Sequence, residues 1–140
     1  MPSRLNTFER ELIATLLAPD HPVTNALRRQ STNCQAARRK FTGHGFFTTL
    51  VVSKKVAAAP VRPGRLALGD VTATIEGLEH GAGFLLFIAD GVLQVLEGFA
   101  YDEPWPVRVE QYRVSAGGVS HGSGSQTDIE QIKAASLPSE

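Results

Sequence analysis

This sequence has little of what marks secreted and membrane proteins. Its single cysteine, Cys34, has no partner for a disulfide within the chain, which is typical of a protein from a reducing compartment. No apolar run reaches the roughly 18 residues that a transmembrane helix needs, and residues 1–10 lack the basic and apolar pattern of a signal peptide. We therefore expect a cytoplasmic protein of bacterial type with no membrane partner.

The motifs of common ligand sites are missing as well. The glycine pairs in residues 43–45 and 81–83 match neither the phosphate-binding GxGxxG pattern nor the Walker pattern. No histidine and cysteine spacing matches a known metal site, and Cys34 has no local signature of a nucleophile, so we interpret it as a buried inert thiol. The sequence thus gives no reason to expect a metal or a cofactor.

The formal net charge is zero, because 14 Lys and Arg balance 14 Asp and Glu. The charges are nevertheless uneven: residues 1–65 carry eleven basic against three acidic side chains, and residues 66–140 carry three against eleven. One interpretation is that the two halves neutralise each other within one sheet. The other is a basic surface that meets an anionic partner, built from Arg28, Arg29, Arg38, Arg39 and Lys40.

What the chain does have is a dominant apolar stretch, residues 77–106. Asp90-Gly91 separates two apolar runs within it and favours the positive φ angles of a type I′ turn, which predicts a β-hairpin. If Ala89 pairs with Val92, both faces of the hairpin are mostly apolar. We therefore expect other parts of the chain to cover both faces. That register sets Phe84, Leu86 and Ile88 opposite Glu97, Val95 and Leu93, and sets Leu85 and Phe87 opposite Leu96 and Gln94.

The flanking segments predict an α+β fold. Asn6 and Glu9 resemble a capping box that begins an amphipathic helix over residues 7–17, and a second helix starts near Pro22. Strands are predicted over residues 35–40, 46–53, 66–68, 71–75 and 107–114, with a loop over residues 54–64. We expect an N-terminal helical hairpin packed on an antiparallel β-sheet that is centred on the 84–98 hairpin.

The domain organisation follows from composition. At 140 residues with 42% hydrophobic content, the chain suits a single domain, which we place at residues 1–115. Residues 116–126 are rich in Gly and Ser and cannot build a core, so residues 116–140 are predicted to form a flexible tail that carries a short helix over residues 128–135.

Four stretches together resemble a known family. They are FTGHGFF at residues 41–47, LALGDV at 66–71, GLEHGAGFLLF at 77–87 and DGVLQVLEGFAYDEPWP at 90–106. Their succession is similar to a family of small uncharacterised bacterial proteins with the signature GLEHGAGFxLF…LEGFxYxxPWP. The resemblance covers about residues 7–114 and implies a fold but no activity. His44 stands where the FTGxGFF pattern expects an apolar residue, which argues against catalysis at that position.

Candidate catalytic chemistry is limited to a few titratable side chains. Glu97 with His80 or His44 is an ordinary acid and base set, and a small hydrolase or metal-dependent enzyme is the first alternative function. Against it, Glu97 also suits a structural anchor, and His80 with Glu79 suits a tight turn.

The leading interpretation is a non-enzymatic binding or interaction protein, such as an accessory or immunity-type protein that sequesters a partner. Aromatic side chains set among acidic residues and prolines offer rigid contact area, although Trp105 also suits the core beneath the helices. The partner is a protein or a small molecule, with a homodimer as one form of such binding. A weak nucleic-acid binder that uses the surface from Arg28 to Lys40 is the second alternative. The predicted binding residues are Phe99, Tyr101, Asp102, Trp105, Arg38 and Arg39.

Overall fold

The computed structural model describes residues 2–116 and 128–137. Three helices are present in these residues, and they are α1 (Thr7–Leu16), α2 (Pro22–Ser31) and α3 (Asp128–Ala135). None of them has the length and apolar character that a membrane span requires. The chain has the predicted α+β architecture, in which the N-terminal helices pack on a large antiparallel sheet.

The sheet contains seven strands within the described residues, and they are β1 (Cys34–Phe41), β2 (Gly45–Val52), β3 (Arg65–Leu68), β4 (Val71–Ile75), β5 (Ala82–Ala89), β6 (Val92–Ala100) and β7 (Tyr112–Ala116). Their order in the sheet is β1-β2-β6-β5-β4-β7, with β3 also paired to β5. Every pairing is antiparallel. The β5–β6 hairpin therefore lies at the centre, as predicted, and β1 is an edge strand.

Burial alternates along the central strands and separates two faces of the sheet. On the helix side, Phe84, Leu86 and Leu96 are at most 1% exposed, and they form the core with the apolar stripes of α1 and α2. On the other side, Leu85 and Phe87 are only partly buried. The prediction that helices or loops cover both faces is therefore wrong for the part of the chain that the structure describes.

Local sequence signals begin both N-terminal helices. The Asn6 side chain accepts a hydrogen bond from the Glu9 N–H, and the Glu9 carboxylate accepts one from the Asn6 N–H, which confirms the predicted capping box. In α2 the His21 ring caps the first turn and Pro22 occupies the first helical position, where its missing N–H costs nothing.

The central hairpin has the predicted turn, and the predicted register holds only beside it, where Ala89 pairs with Val92 and Ile88 with Leu93. Asp90 and Gly91 have φ angles of 50° and 79°, as a type I′ turn requires. The register shifts between Phe87 and Ile88 because β6 contains one extra residue, Gln94, which forms a β-bulge. Beyond the bulge every side chain changes face, so Phe84 lies opposite Gly98 and Leu85 lies opposite Glu97.

One further prediction needs correction near the C-terminus. Residues 107–111 are not a strand, and the final strand is β7, which pairs with β4. The predicted short helix over residues 128–135 is present as α3. Its Ile132 side chain is fully buried, and its Asp128 carboxylate accepts hydrogen bonds from the N–H groups of Gly69 and Asp70. The Gly/Ser-rich residues 117–127 lie outside the described residues.

A buried glutamine joins α2 to the hairpin. The Gln30 side chain is fully buried, and its Nε2 donates to the carbonyls of Gly91 at 2.7 Å and Ala57 at 3.2 Å. Its Oε1 accepts from the Leu93 N–H at 2.9 Å. This amide therefore satisfies backbone groups beside the turn that the hairpin ladder does not reach.

We expect Gln30→Ala to lower the free energy of unfolding by about 3 kcal/mol, because it leaves buried backbone groups without partners and opens a cavity. Equilibrium urea denaturation measures the loss. Gln94→Ala, which truncates an exposed glutamine on the same hairpin, should change the value by no more than about 0.5 kcal/mol. Equal losses in the two variants would show that the buried amide is not a structural clamp.

Candidate functional site

A cleft of about 480 Å³ lies between the start of α1, the β1–β2 edge and the segment that follows β6. Five of its 14 lining residues are aromatic and three more are apolar. The remaining six are polar, and they are Asn6, Thr7, Glu9, Arg39, Thr48 and Glu110. Pockets of this size with apolar walls and a few polar groups are typical of small-molecule sites. The aromatic side chains that line it are Phe8, Phe41, Phe46, Trp105 and Tyr112.

Ring contacts hold these walls against the core. Phe8 lies edge-on to Phe84 at 5.7 Å and to Tyr112 at 4.6 Å, measured between ring centroids. Trp105 packs edge-on against Phe46 at 5.4 Å. Trp105 is partly buried, so it both borders the core and presents surface to the cleft. Edge-to-face aromatic pairs are favourable beyond the area they bury, which makes these walls rigid.

The polar part of the cleft is a buried ion pair. Glu9 is 2% exposed, and its Oε1 accepts hydrogen bonds from Arg39 Nη2 at 2.7 Å and from the Asn6 N–H at 2.8 Å. Its Oε2 accepts from Arg39 Nε at 2.9 Å and from Thr48 Oγ1 at 2.7 Å. Both carboxylate oxygens are therefore satisfied within the fold, and the Arg39 contact is bidentate.

These contacts fix the charge state of Glu9. Burial alone would raise its pKa, but the hydrogen bonds from Arg39, Thr48 and Asn6, together with the positive charge of Arg39, lower the pKa below its ordinary value. A catalytic acid or base at neutral pH needs the opposite shift. The Glu9 carboxylate is thus an anchor for the cleft and is not equipped to move a proton.

Trp105 is positioned by the turn between β1 and β2. The backbone N–H of Trp105 donates to the Gly43 carbonyl at 2.8 Å, and the Ala100 N–H donates to the His44 carbonyl at 2.8 Å. The His44 ring contacts the Glu103 carbonyl oxygen at 3.2 Å. Gly43 has a φ of 90°, so this tight turn favours glycine at that position.

The predicted binding residues divide between two sides of the sheet. Trp105 and Arg39 line the cleft. Phe99 and Tyr101 instead form an edge-on ring pair at 5.6 Å on the opposite face, where both rings lie against Gly83. Arg38 pairs with Thr49 on that same face, and Asp102 is exposed in a turn with a φ of 55°. The predicted aromatic surface is therefore two separate surfaces.

The predicted catalytic residues do not share a hydrogen bond in the structure. Glu97 lies in β6 between Phe47 and Leu85, and burial raises the pKa of its carboxyl. His80 is exposed in the turn before β5, where its backbone N–H donates to the Glu103 carboxylate at 2.8 Å.

Glu103 also accepts from the Glu79 N–H at 2.7 Å. These two hydrogen bonds lower the pKa of Glu103. Glu103 therefore ties the 79–80 turn to the segment after β6, and His44 contacts the same residue through its carbonyl. Among residues 2–116 and 128–137, no cluster of three or more His, Cys, Asp or Glu side chains is arranged to hold a metal.

Cys34 and two arginines of the predicted basic surface interact with groups inside the fold. Burial raises the pKa of the Cys34 thiol to about 11, so the thiol stays protonated at neutral pH. Arg28 donates to the carbonyls of Leu17 and Pro19 at the end of α1, and Arg39 is committed to Glu9. The predicted basic surface is therefore divided.

No protein family, curated protein or solved structure matches this chain. The resemblance to small bacterial proteins with the GLEHGAGFxLF signature stays a prediction.

Sequence reasoning missed the functional importance of Glu9, Thr48 and Phe8. A signal for Glu9 was present: it precedes Leu12 and Ile13 by three and four residues, which places it on the apolar stripe of α1. A carboxylate on such a stripe needs a cationic partner. The partner, Arg39, lies 30 residues away, and local spacing does not predict a contact of that separation.

We expect Arg39→Ala to lower the free energy of unfolding by about 3 kcal/mol at neutral pH, because it leaves the Glu9 carboxylate buried without its cation. Chemical denaturation measures the change. Arg29→Ala removes an exposed arginine from α2 and should change the value by no more than about 0.5 kcal/mol.

The loss of stability in Arg39→Ala depends on pH. The folded-state pKa of Glu9 is below its unfolded value, so the pair stabilises the fold above the unfolded pKa and the stabilisation is lost as pH falls through the folded pKa. In Arg39→Ala, burial without the cation raises the pKa of Glu9, so the stability difference from the wild type should be largest near neutrality and shrink as pH falls towards and below about pH 4. A difference that is independent of pH would contradict the role assigned to the ion pair.

Proposed function

We propose that this chain is a non-enzymatic binding protein whose aromatic cleft takes a small ligand with a flat, apolar body. The observation that carries the proposal is the combination of a rigid aromatic wall with a polar base that the fold itself satisfies. Such a cleft offers apolar contact area, and its buried carboxylate, Glu9, is fully engaged by Arg39, Thr48 and Asn6.

The shape of the walls supports a ring-shaped ligand. Phe41 is 69% exposed at the end of β1 and borders the cleft, and Trp105 borders it from the segment after β6. Exposed aromatic side chains beside a concave surface gain from contact with a planar apolar group, which removes their surfaces from water.

We also propose that the protein acts in a bacterial cytoplasm, as an accessory protein that sequesters its ligand. The enzymatic alternative gains no support from the cleft, since Glu9 is saturated by its partners and its pKa is lowered. Glu97 and His80, the predicted catalytic residues, are not among the residues that line the cleft.

Trp105 is the only tryptophan in the chain and lines the cleft, so its emission responds to a ligand bound there. We expect anilinonaphthalene sulfonate, a dye whose flat aromatic rings carry one sulfonate, to quench Trp105 emission saturably and to emit by energy transfer from it. Phe41→Ala should weaken this binding by about tenfold, because an aromatic wall is lost. The fold should be preserved, because the Phe41 side chain is mostly exposed.

Leu137→Ala is the matched control, since it also truncates an exposed large apolar side chain but lies outside the cleft. It should leave dye affinity unchanged. Affinity is read from the quenching of Trp105, because dye bound to other apolar surfaces does not quench it. The proposal fails if the dye produces no saturable quenching of Trp105, or if the Phe41 and Leu137 variants lose affinity equally.

A further inference from the structure

The face of the sheet that lies opposite the helices has an unusual composition for a face exposed to water. Antiparallel sheets with one solvated face normally present polar side chains there. Here the central strands present partly exposed apolar side chains, whereas their neighbours on the helix side, such as Phe46 and Phe84, are at most 6% exposed. Contiguous apolar surface of this kind is typical of an interface. We call this surface the open face, and its central side chains are Phe47, Leu85, Phe87, Val95, Glu97 and Phe99.

One carboxylate lies in the middle of the open face. Glu97 pairs with Phe47 on one side and with Leu85 on the other. It makes no hydrogen bond or ion pair with any residue that the structure describes. Burial beside these apolar neighbours raises the pKa of its carboxyl. A cationic group placed over Glu97 would relieve this unfavourable desolvation.

A cation lies two strands away in the same row. Lys40 on β1 pairs with Phe47, so one row across three strands consists of Lys40, Phe47 and Glu97. Adjacent strands are about 4.8 Å apart, so the lysine and the glutamate are displaced equally to either side of β2. Lys40 likewise has no ion pair within the described residues.

We propose that the part of the open face on β1, β2 and β6 binds the same part of a second copy of this chain, forming a two-fold symmetric dimer in which Lys40 of each copy pairs with Glu97 of the other. A two-fold axis parallel to β2 maps the row onto itself in reverse, so each cation is brought over an anion and the two Phe47 rings meet at the axis. Face-to-face sheets pack about 10 Å apart, which Lys and Glu side chains can span together.

Charge complementarity selects a second copy over an unrelated partner. An isologous interface requires that the same patch complements itself, and a row that is positive at one end, apolar in the centre and negative at the other meets that requirement. The cleft lies on the helix side, lined by Phe46 and Thr48, so this dimer leaves the cleft open.

Sedimentation velocity of the full chain over a range of concentrations tests the proposal. We expect a concentration-dependent dimer that Lys40→Glu and Glu97→Lys each weaken by at least roughly tenfold, because each change places like charges against each other. The double variant carrying both changes restores opposite charges and should return the dissociation constant to within about threefold of the wild type.

Lys55→Glu is the matched control, since Lys55 is exposed in the loop after β2 and its substitution should leave the dimer unchanged. Circular dichroism establishes that each variant is folded, and Glu97→Gln replaces Glu97→Lys if the latter does not fold. A wild-type chain that is monomeric at every concentration overturns the proposal. A dimer that Lys40→Glu weakens no more than Lys55→Glu does, or that the double variant fails to restore, also overturns it.

Discussion

The buried pair of Glu9 and Arg39 is the interaction on which the arrangement of the N-terminal half depends. A carboxylate that is 2% exposed is tolerated only if donors surround it, and here the donors come from the start of α1, from β1 and from Thr48 on β2. The pair therefore fixes the helix start against one edge of the sheet. Phe8, the neighbour of Glu9, is consequently held against Phe84, and the aromatic cleft begins there.

Elements whose signals are local were predictable from the sequence. The capping box of Asn6 and Glu9, the Asp90-Gly91 turn and the alternation along β2 each act over a few residues, and each appears in the structure. The register beyond Gln94 was not predictable in this way. The Leu93 N–H beside the bulge binds the Gln30 side chain, 63 residues away, so the bulge depends on how α2 packs on the hairpin. For this reason Glu97 lies on the open face and not in the core.

The candidate site was predictable only in part, for a related reason. Trp105 and Arg39 were predicted as binding residues, but the sequence did not predict the cleft that both of them line, because that cleft requires the strand pleat. Successive residues of β1 point to opposite faces, so a run of three basic residues is divided: Arg39 reaches Glu9 on the helix side, while Arg38 and Lys40 lie on the open face. A basic run therefore does not form one basic surface when it lies in a strand.

The same alternation relates the two proposed surfaces to each other. Phe46 lines the cleft and its neighbour Phe47 lies on the open face, so one strand supplies an aromatic wall to both sides of the sheet. Residues of β1 do the same with Arg39 and Lys40. Because the sheet separates the surfaces, a ligand in the cleft and a second copy on the open face do not compete for space.

Both surfaces depend on the pairing of β1 with β2, which the Glu9 ion pair holds in place through Arg39 and Thr48. A substitution that loosens this pairing would weaken both surfaces together, whereas a substitution confined to one face would affect one of them alone.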